Sequence, residues 1–437
     1  MIGLLDCNNF YVSCERLFNR RLLNKPVVVL SNNDGCIISR SNEAKKLGIK
    51  MGEPFFKIRK KLKDQGVYVC SSNYSFYGDI SQRVMSILIK ECPSIQIYSI
   101  DEAFIDLEGI QEDEFFCSFL KEKIFRWTGI PVSIGIAKTK TLAKIANRVV
   151  KKNSEYKLDF KFKDVFKISS EKQVNYILSK TNIEDVWGIG RKLTRYFKEK
   201  GIESALDFKN ISENFVRKEK GVLTARTVLE LRGVKCYNID NNEIIKKSIC
   251  VSRSFGKKVT SYEDLKAALI LYVQKASEKL RKNRLFCKSL TVFLQTSRYK
   301  KNYYVNSRNF IFIQETMDSR AIWIKSEYLL SKIYLDGLSY NKIGVILLDL
   351  CREHNIQNSL FNCSTKKENS ANLMTAIDKI NQRFGSGKIR ISADKKGSFH
   401  EKKSKKEIKP AGWLMRSSYC SPCYTTRWCD IPEVTII

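Results

Sequence analysis

Tyr98-Ser99-Ile100-Asp101-Glu102-Ala103-Phe104-Ile105-Asp106-Leu107 sets two acids side by side inside an apolar, β-forming run that begins at Ile95. A half-buried strand pair has to turn where Asp101 and Glu102 stand. Neighbouring carboxylates there oppose each other's ionisation and lose hydration, and a bound cation relieves both costs. An ordinary acidic hairpin turn is the plainer reading of two acids alone. A third acid weighs against it. Asp6 closes the first apolar run, Met1-Ile2-Gly3-Leu4-Leu5, so a second buried strand also delivers a carboxylate at its end. Three acids on two core strands suit a hard divalent ion such as Mg²⁺, which takes oxygen ligands, keeps waters and is completed by substrate phosphates.

The chain has 437 residues, 43% hydrophobic and 28% charged. That is a globular composition, with length for about three to five compact units. Its 78 Lys and Arg against 46 Asp and Glu give a net charge of +32. Solubility needs far less, so a polyanionic partner is expected, nucleic acid or an anionic membrane surface. No apolar run is long enough to span a bilayer, and no basic leader with a small-residue cleavage site precedes the first strand, so the expected compartment is the cytoplasm, away from membranes. There the 14 Cys read as reduced, mostly buried thiols. Cys420, Cys423 and Cys429 have part of a zinc-ligand spacing, but a fourth ligand is missing nearby and the only histidines are His354 and His400.

Around the acids the elements order themselves. Phe10, Cys14, Leu17 and Phe18 recur at helical spacing, with Tyr11 just past the first strand, its ring either core or a wall of the site. Strands at 27–30 and 36–39 flank the turn Asn32-Asn33-Asp34-Gly35, and a short helix capped by Gly48 follows, whose Lys45, with Arg40 before it, meets either phosphate or solvent. A basic helix at 57–63 ends at Gly66 before a strand at 67–71. Phe76, Ile80, Val84, Ile87 and Leu88 then mark a long helix stopped by Pro93. A helix at 112–127 and a strand at 132–136 complete a β-α-β-β-α-β order, the ferredoxin-like arrangement, with Asp6 and Asp101-Glu102 on neighbouring central strands. The next helix runs from Thr139 to Val150 and delivers Lys151 and Lys152 toward the same end.

Farther along, Val186-Trp187-Gly188-Ile189-Gly190-Arg191-Lys192-Leu193 is a helix-hairpin-helix pattern. Gly188 and Gly190 open backbone N–H groups to a DNA phosphate, and Arg191 and Lys192 add charge. Helical sequence from about 205 to 231 ends at Gly233, and 238–242 reads as a linker. A second α+β unit follows, with strands at 249–255, 289–295, 309–313 and 342–350 and helices at 262–282 and 320–335. Its cations (Arg253, Lys257, Lys258, Lys288, Arg298, Lys300, Lys301) and aromatics (Tyr299, Tyr303, Tyr304) suit a nucleic-acid backbone. Beyond 350 a polar, flexible stretch to about 370 carries Gln357-Asn358-Ser359-Leu360-Phe361, a short peptide suited to a partner's apolar groove. A helix at 373–384 and a basic run at 402–409 lead to an aromatic, Cys-containing tail for which the residues alone give no account.

Taken in order, Leu5-Asp6-Cys7-Asn8-Asn9-Phe10-Tyr11, Ser99-Ile100-Asp101-Glu102-Ala103-Phe104, Gly135-Ile136-Ala137-Lys138-Thr139-Lys140 and Val186-Trp187-Gly188-Ile189-Gly190 resemble the Y-family, or translesion, DNA polymerases. Val28-Val29-Leu30-Ser31-Asn32-Asn33-Asp34-Gly35-Cys36 and Tyr424-Thr425-Thr426-Arg427-Trp428 are most similar to the bacterial UmuC type, the catalytic subunit of DNA polymerase V. The resemblance implies an α+β right hand: a ferredoxin-like palm (1–10 and 72–160), small fingers (11–71), a helical helix-hairpin-helix thumb (161–238), an α+β little finger (245–352) and a UmuC-type extension with a clamp-binding motif (353–437). It implies that Asp6, Asp101, Glu102 and the Cys7 carbonyl hold two Mg²⁺ ions, that Tyr11 is a steric gate against the ribose 2′-hydroxyl, and that Tyr11, Ser39, Asn42, Lys45 and Lys151 contact the nucleotide. Archaeal members carry an aromatic and an arginine at the positions of Asn42 and Lys45. Gly188, Gly190, Arg191, Lys192, Arg253, Lys257 and Lys258 would meet DNA. Gln357, Leu360 and Phe361 resemble the sliding-clamp motif. Implied partners are damaged primer-template DNA, dNTPs, a sliding clamp, a UmuD-type dimer and a RecA filament. The implied reaction is low-fidelity translesion synthesis in the SOS response to DNA damage.

Two rivals remain at this level. A nucleotidyl cyclase shares the ferredoxin-like palm but has no need of +32 charge or a helix-hairpin-helix. A DNA-binding scaffold with a decayed site sits poorly with three intact carboxylates beside Tyr11.

Overall fold

Strand β1 (Ile2–Cys7) alternates between two cores. Leu5 and Cys7 enter one hydrophobic cluster and Ile2 and Leu4 another, so the strand is buried on both faces and the period of two puts Asp6 on the Ile2–Leu4 side. In this computed structural model the described residues are 1–239, 246–299, 302–353, 364–385, 387–390 and 415–431. They divide into two units, Met1–Asn242 with Ser418–Ile437, and Glu243–Ser417.

The first unit is built on two sheets. The smaller comprises β2 (Val27–Leu30), β3 (Ile37–Arg40) and β4 (Tyr68–Ser71) in the order β3-β2-β4, with β2 antiparallel to β3 and parallel to β4. The larger sheet contains β5 (Ile95–Ile97), β6 (Glu102–Asp106), β7 (Val132–Ala137) and β8 (Val165–Lys167) in the order β5-β6-β1-β7-β8. Without β8 this is the ferredoxin-like order, with β1 antiparallel to both neighbours. The three-residue β8 is too short to carry a periodic signal in the sequence.

Helices Tyr74–Glu91 and Asp113–Thr128 bury Phe76, Ile80, Val84, Leu88, Cys117, Leu120 and Ile124 in the cluster that holds Leu5. Helix Lys140–Lys151 covers the other face, capped at its start by the Thr139 hydroxyl. It lies close to β7 because Gly135 has no side chain: a Cβ there would come within 2.1 Å of the Asn147 backbone nitrogen. The helical part shares this second core through Ile177, Phe197, Phe208 and Leu231. Its single expected run near 205–231 is three helices, Ala205–Asn210, Glu213–Lys220 and Val222–Leu231, broken at Ser212 and at Gly221, whose φ of 83° suits glycine.

The second unit is a four-stranded antiparallel sheet in the order β11-β10-β12-β9, formed by β9 (Ser248–Val259), β10 (Leu285–Thr296), β11 (Val305–Thr316) and β12 (Tyr340–Arg352). Helices Tyr262–Lys282 and Ser319–Ile333 cover it. Every strand is longer than its apolar stretch, because polar residues on the open face continue the ladder. A helix extends over Ser364–Phe384, where the polar composition suggested flexible chain to about 370. It is fastened at Asp378, which accepts two bonds from the Arg281 guanidinium at 2.6 and 2.7 Å, and by buried Met374.

Candidate active site

Register brings the acids together. Asp6 lies directly opposite Glu102 across β1 and β6, and the Cys7 N–H donates to the Asp101 carbonyl at 2.9 Å. The turn before β6 is tied by Ser99, whose Oγ accepts from the Asp101 and Glu102 N–H groups at 3.2 and 3.1 Å and donates to Asp101 Oδ1 at 2.5 Å. Glu102 and Phe104 share the face of Asp6, the face that helix Lys140–Lys151 covers.

That helix supplies the counter-charge. Lys151 Nζ stands 2.5 Å from Asp6 Oδ1, and Lys144 Nζ donates to the Glu102 carboxylate at 2.9 and 3.1 Å. Lys144 also lies over the rings of Tyr98 (4.4 Å) and Trp187 (5.6 Å), and Trp187 Nε1 donates to Tyr98 Oη at 3.0 Å. Neither Lys144 nor Ser99 was singled out in the sequence, where one lysine among several on a helix carries no distinguishing mark. Asp6 is pushed up to about 6, first by burial and then by the nearby Glu102 and Asp101 charges, against the pull of Lys151. Burial holds the Cys7 thiol well above its ordinary range, so Cys7 presents no thiolate to the site.

Beside the acids, Asn9 adopts the left-handed conformation (φ 48°) at the start of helix Phe10–Phe18. Its side chain accepts from Lys45 Nζ at 2.6 Å and donates to Asn42 Oδ1 at 3.1 Å, while its carbonyl accepts from buried Ser39 Oγ at 3.5 Å. Asn42 and Lys45 thereby reach the end of the strand that carries Asp6. Desolvation, with Arg40 and Lys151 nearby, lowers the Lys45 ammonium below its usual value. Tyr11 is half-buried, its ring stacked on Tyr77 at 4.7 Å and edge-on to Tyr74 at 6.0 Å, and burial raises its phenol.

The donor set fits a hard divalent cation: carboxylate oxygens from two paired strands and a turn, plus a backbone carbonyl. Among the described residues no group of three or more His, Cys, Asp and Glu side chains is placed to hold a metal ion; Asp6 and Glu102 are paired instead with Lys151 and Lys144.

Elsewhere, Gly188 has φ 88°, and Gly190 precedes helix Arg191–Lys198 with no side-chain cap, so the first N–H groups of that helix are open beside exposed Arg191 and Lys192. Arg253, Lys257 and Lys258 lie on β9, an edge strand. Its pairing jumps from Ser254↔Lys342 to Val259↔Tyr340, so Lys257 and Lys258 ride on a wide bulge. Gln357, Leu360 and Phe361 lie outside the described residues, as do Lys300 and Lys301. No helix among the described residues is long and apolar enough to cross a membrane.

Comparison with known proteins agrees with this geometry. The impB/mucB/samB family matches residues 5–148, its C-terminal domain matches 246–360, and a domain of unknown function matches 371–434. The chain is 38% identical to Protein ImpB of Salmonella typhimurium over 99% of both chains. It is equally identical to Protein UmuC of Salmonella typhimurium, over 99% of this chain and 100% of the relative. A solved Y-family DNA polymerase chimera of Dbh and Dpo4 shares the fold with a TM-score of 0.64, 23% identity and coverage of 81% of this chain and 100% of its own. Matched along its length at 38% identity, with the acids in register on a ferredoxin-like sheet, the chain belongs to the impB/mucB/samB family, the UmuC-type branch of the Y-family DNA polymerases.

Proposed function

We propose that the chain is a template-directed DNA polymerase of low fidelity that extends primers past damaged template positions in the SOS response, transferring a nucleotidyl group from a dNTP to a primer 3′-hydroxyl. One observation carries this reading: Asp6 and Glu102 face each other on paired strands beside Asn9, which binds Asn42 and Lys45. Two carboxylates and the side chains of Asn9, Asn42 and Lys45 thus meet at one strand end.

Asp6, Asp101, Glu102 and the Cys7 carbonyl are the residues that would hold two Mg²⁺ ions, whose chemistry is to acidify the attacking hydroxyl and neutralise the triphosphate. The protein's own groups do the rest. Lys151 and Lys144 balance Asp6 and Glu102 before substrate arrives, and Lys151 exchanges its carboxylate for a triphosphate oxygen together with Ser39, Asn42 and Lys45. Tyr11, stacked on Tyr77, excludes a ribose 2′-hydroxyl. Gly188 and Gly190, with Arg191 and Lys192, seat one duplex phosphate, and Arg253, Lys257 and Lys258 track others. In this reading 1–10 with 72–160 is the palm, 11–71 the fingers, 161–238 the thumb, 245–352 the little finger and 353–437 the extension. Partners include a sliding clamp held by Gln357, Leu360 and Phe361, a UmuD-type dimer and a RecA filament, in the cytoplasm.

Primer-template binding tests this against an inactive scaffold. Binding should tighten when Mg²⁺ and the correct dNTP are supplied together. Affinity indifferent to both would favour the scaffold.

A further inference from the structure

Residues 418–424 return to the small sheet across most of the chain. The Ser71 N–H donates to the Tyr419 carbonyl at 2.9 Å, the Tyr419 N–H donates to Ser71 Oγ at 3.0 Å, and Cys420 pairs with Ser71 in parallel, extending the sheet beyond its edge strand β4. The Ser418 N–H donates to Asp34 Oδ2 at 2.8 Å. Aromatic contacts complete the seat: Tyr419 lies edge-on to Phe55 at 5.8 Å and Tyr424 stacks on Phe18 at 4.7 Å.

The contacts of Asn73 and Glu15 give this docking a consequence. Asn73 caps helix Tyr74–Glu91, and its Nδ2 donates to the Ser421 and Pro422 carbonyls, both at 3.1 Å. Glu15, only 2% exposed, accepts from Tyr77 Oη at 2.6 Å and from Ser421 Oγ at 3.0 Å on the same carboxylate oxygen. Tyr77 is the ring on which Tyr11 stacks, and Tyr74 is the ring it meets edge-on. Glu15 also lies one helical turn after Tyr11 on helix Phe10–Phe18. Two of the three ring neighbours of Tyr11, Tyr74 and Tyr77 but not Phe10, therefore stand in the first turn of a helix whose cap the tail holds, and Tyr77 shares a buried carboxylate with Ser421.

We propose that residues 418–424 are a positioning element for sugar selection, setting the ring of Tyr11 through Ser421, Asn73, Glu15 and Tyr77. The inference rests on Tyr11 being the sugar gate. It gives a part to a segment inside the matched domain of unknown function. A hydroxyl on a buried carboxylate fixes where Tyr77 Oη can donate, and the stacked pair moves with it.

The test uses the full chain with primer-template whose primer ends in a dideoxynucleotide, so that affinity for dNTP and rNTP is read without turnover. Ser421→Ala should lower the dNTP-over-rNTP affinity ratio about tenfold, the size of one lost charge-assisted hydrogen bond. Ser421→Thr, which keeps the hydroxyl, should retain the wild-type ratio. Glu15→Gln, which keeps shape and removes charge, should move the ratio in the same direction as Ser421→Ala. In a Tyr11→Ala background Ser421→Ala should change nothing further. A Ser421→Ala chain that loses stability yet keeps the wild-type ratio would make the tail a mere brace and overturn the proposal. A wild-type chain that does not distinguish the two sugars would instead remove the gate reading of Tyr11.

Discussion

Asp6 and Glu102 each rest against an ammonium, Lys151 at 2.5 Å and Lys144 at 2.9 Å, so the cleft is balanced before any substrate enters. Burial still wins at Asp6, whose carboxyl rises to about 6 from an ordinary 3.8. A carboxyl raised on folding binds its proton more tightly in the native state, so its contribution to stability is full below about pH 4 and is lost as pH rises through 6. Denaturant unfolding of the metal-free chain should show a term on the order of 2–3 kcal/mol over that window that Asp6→Asn lacks. Added Mg²⁺ should move its midpoint downward, since a cation favours the ionised form. At the gate, Tyr11→Ala should raise ribonucleotide incorporation on the order of tenfold to a hundredfold, measured as the kcat/KM ratio for the two sugars. Unchanged selection would take Tyr11 out of that role. The acids were legible because each ends an apolar run. Lys144 was not, because only the fold shows which lysine of the helix reaches Glu102.

Helix Lys140–Lys151 delivers both lysines, and its height above the sheet is set by Gly135. Gly135→Ala would drive a methyl into helix backbone that cannot yield. It should cost about 3 kcal/mol or more and lower Tm by several degrees. Gly3→Ala is tight only against the end of the Leu107 side chain at 3.2 Å, with Ile105 Cβ at an ordinary 3.7 Å, and should be much milder. Equal effects of the two on Tm would contradict this account of helix–sheet spacing. The main helices packed on the larger sheet were legible from periodicity and its first strand as an unbroken apolar run, since Leu5 and Leu4 enter different cores and leave no polar face. The ends of β9 to β12 were not. Their outer positions are polar, and the strand whose apolar run stops at 255 continues through a bulge carrying Lys257 and Lys258 to Val259. The helix from Ser364 is likewise polar, and the Arg281–Asp378 pair that fastens it joins residues far apart in sequence.

Contacts divide the chain into two units, and within the first the larger sheet and the helices of residues 171–231 share one core through helix Lys140–Lys151. The tail was illegible because Ser71, Glu15 and Asn73 receive it from more than 340 residues away. The charge of +32 belongs to this scale as well. Replacing Lys257 and Lys258 by Ala should weaken DNA binding across sequences and reduce the salt slope by about 2, near one per lost phosphate contact. An unchanged slope would place DNA elsewhere. The central claim is tested most directly by extending a labelled primer on an abasic template with Mg²⁺ and four dNTPs. The wild-type chain and Asp101→Ala should be compared with and without UmuD-type and RecA partners. Extension past the lesion by the wild type only, with Asp101→Ala still holding DNA, is the predicted result. DNA bound but no extension in any mixture, or extension by Asp101→Ala at the wild-type rate, would contradict it.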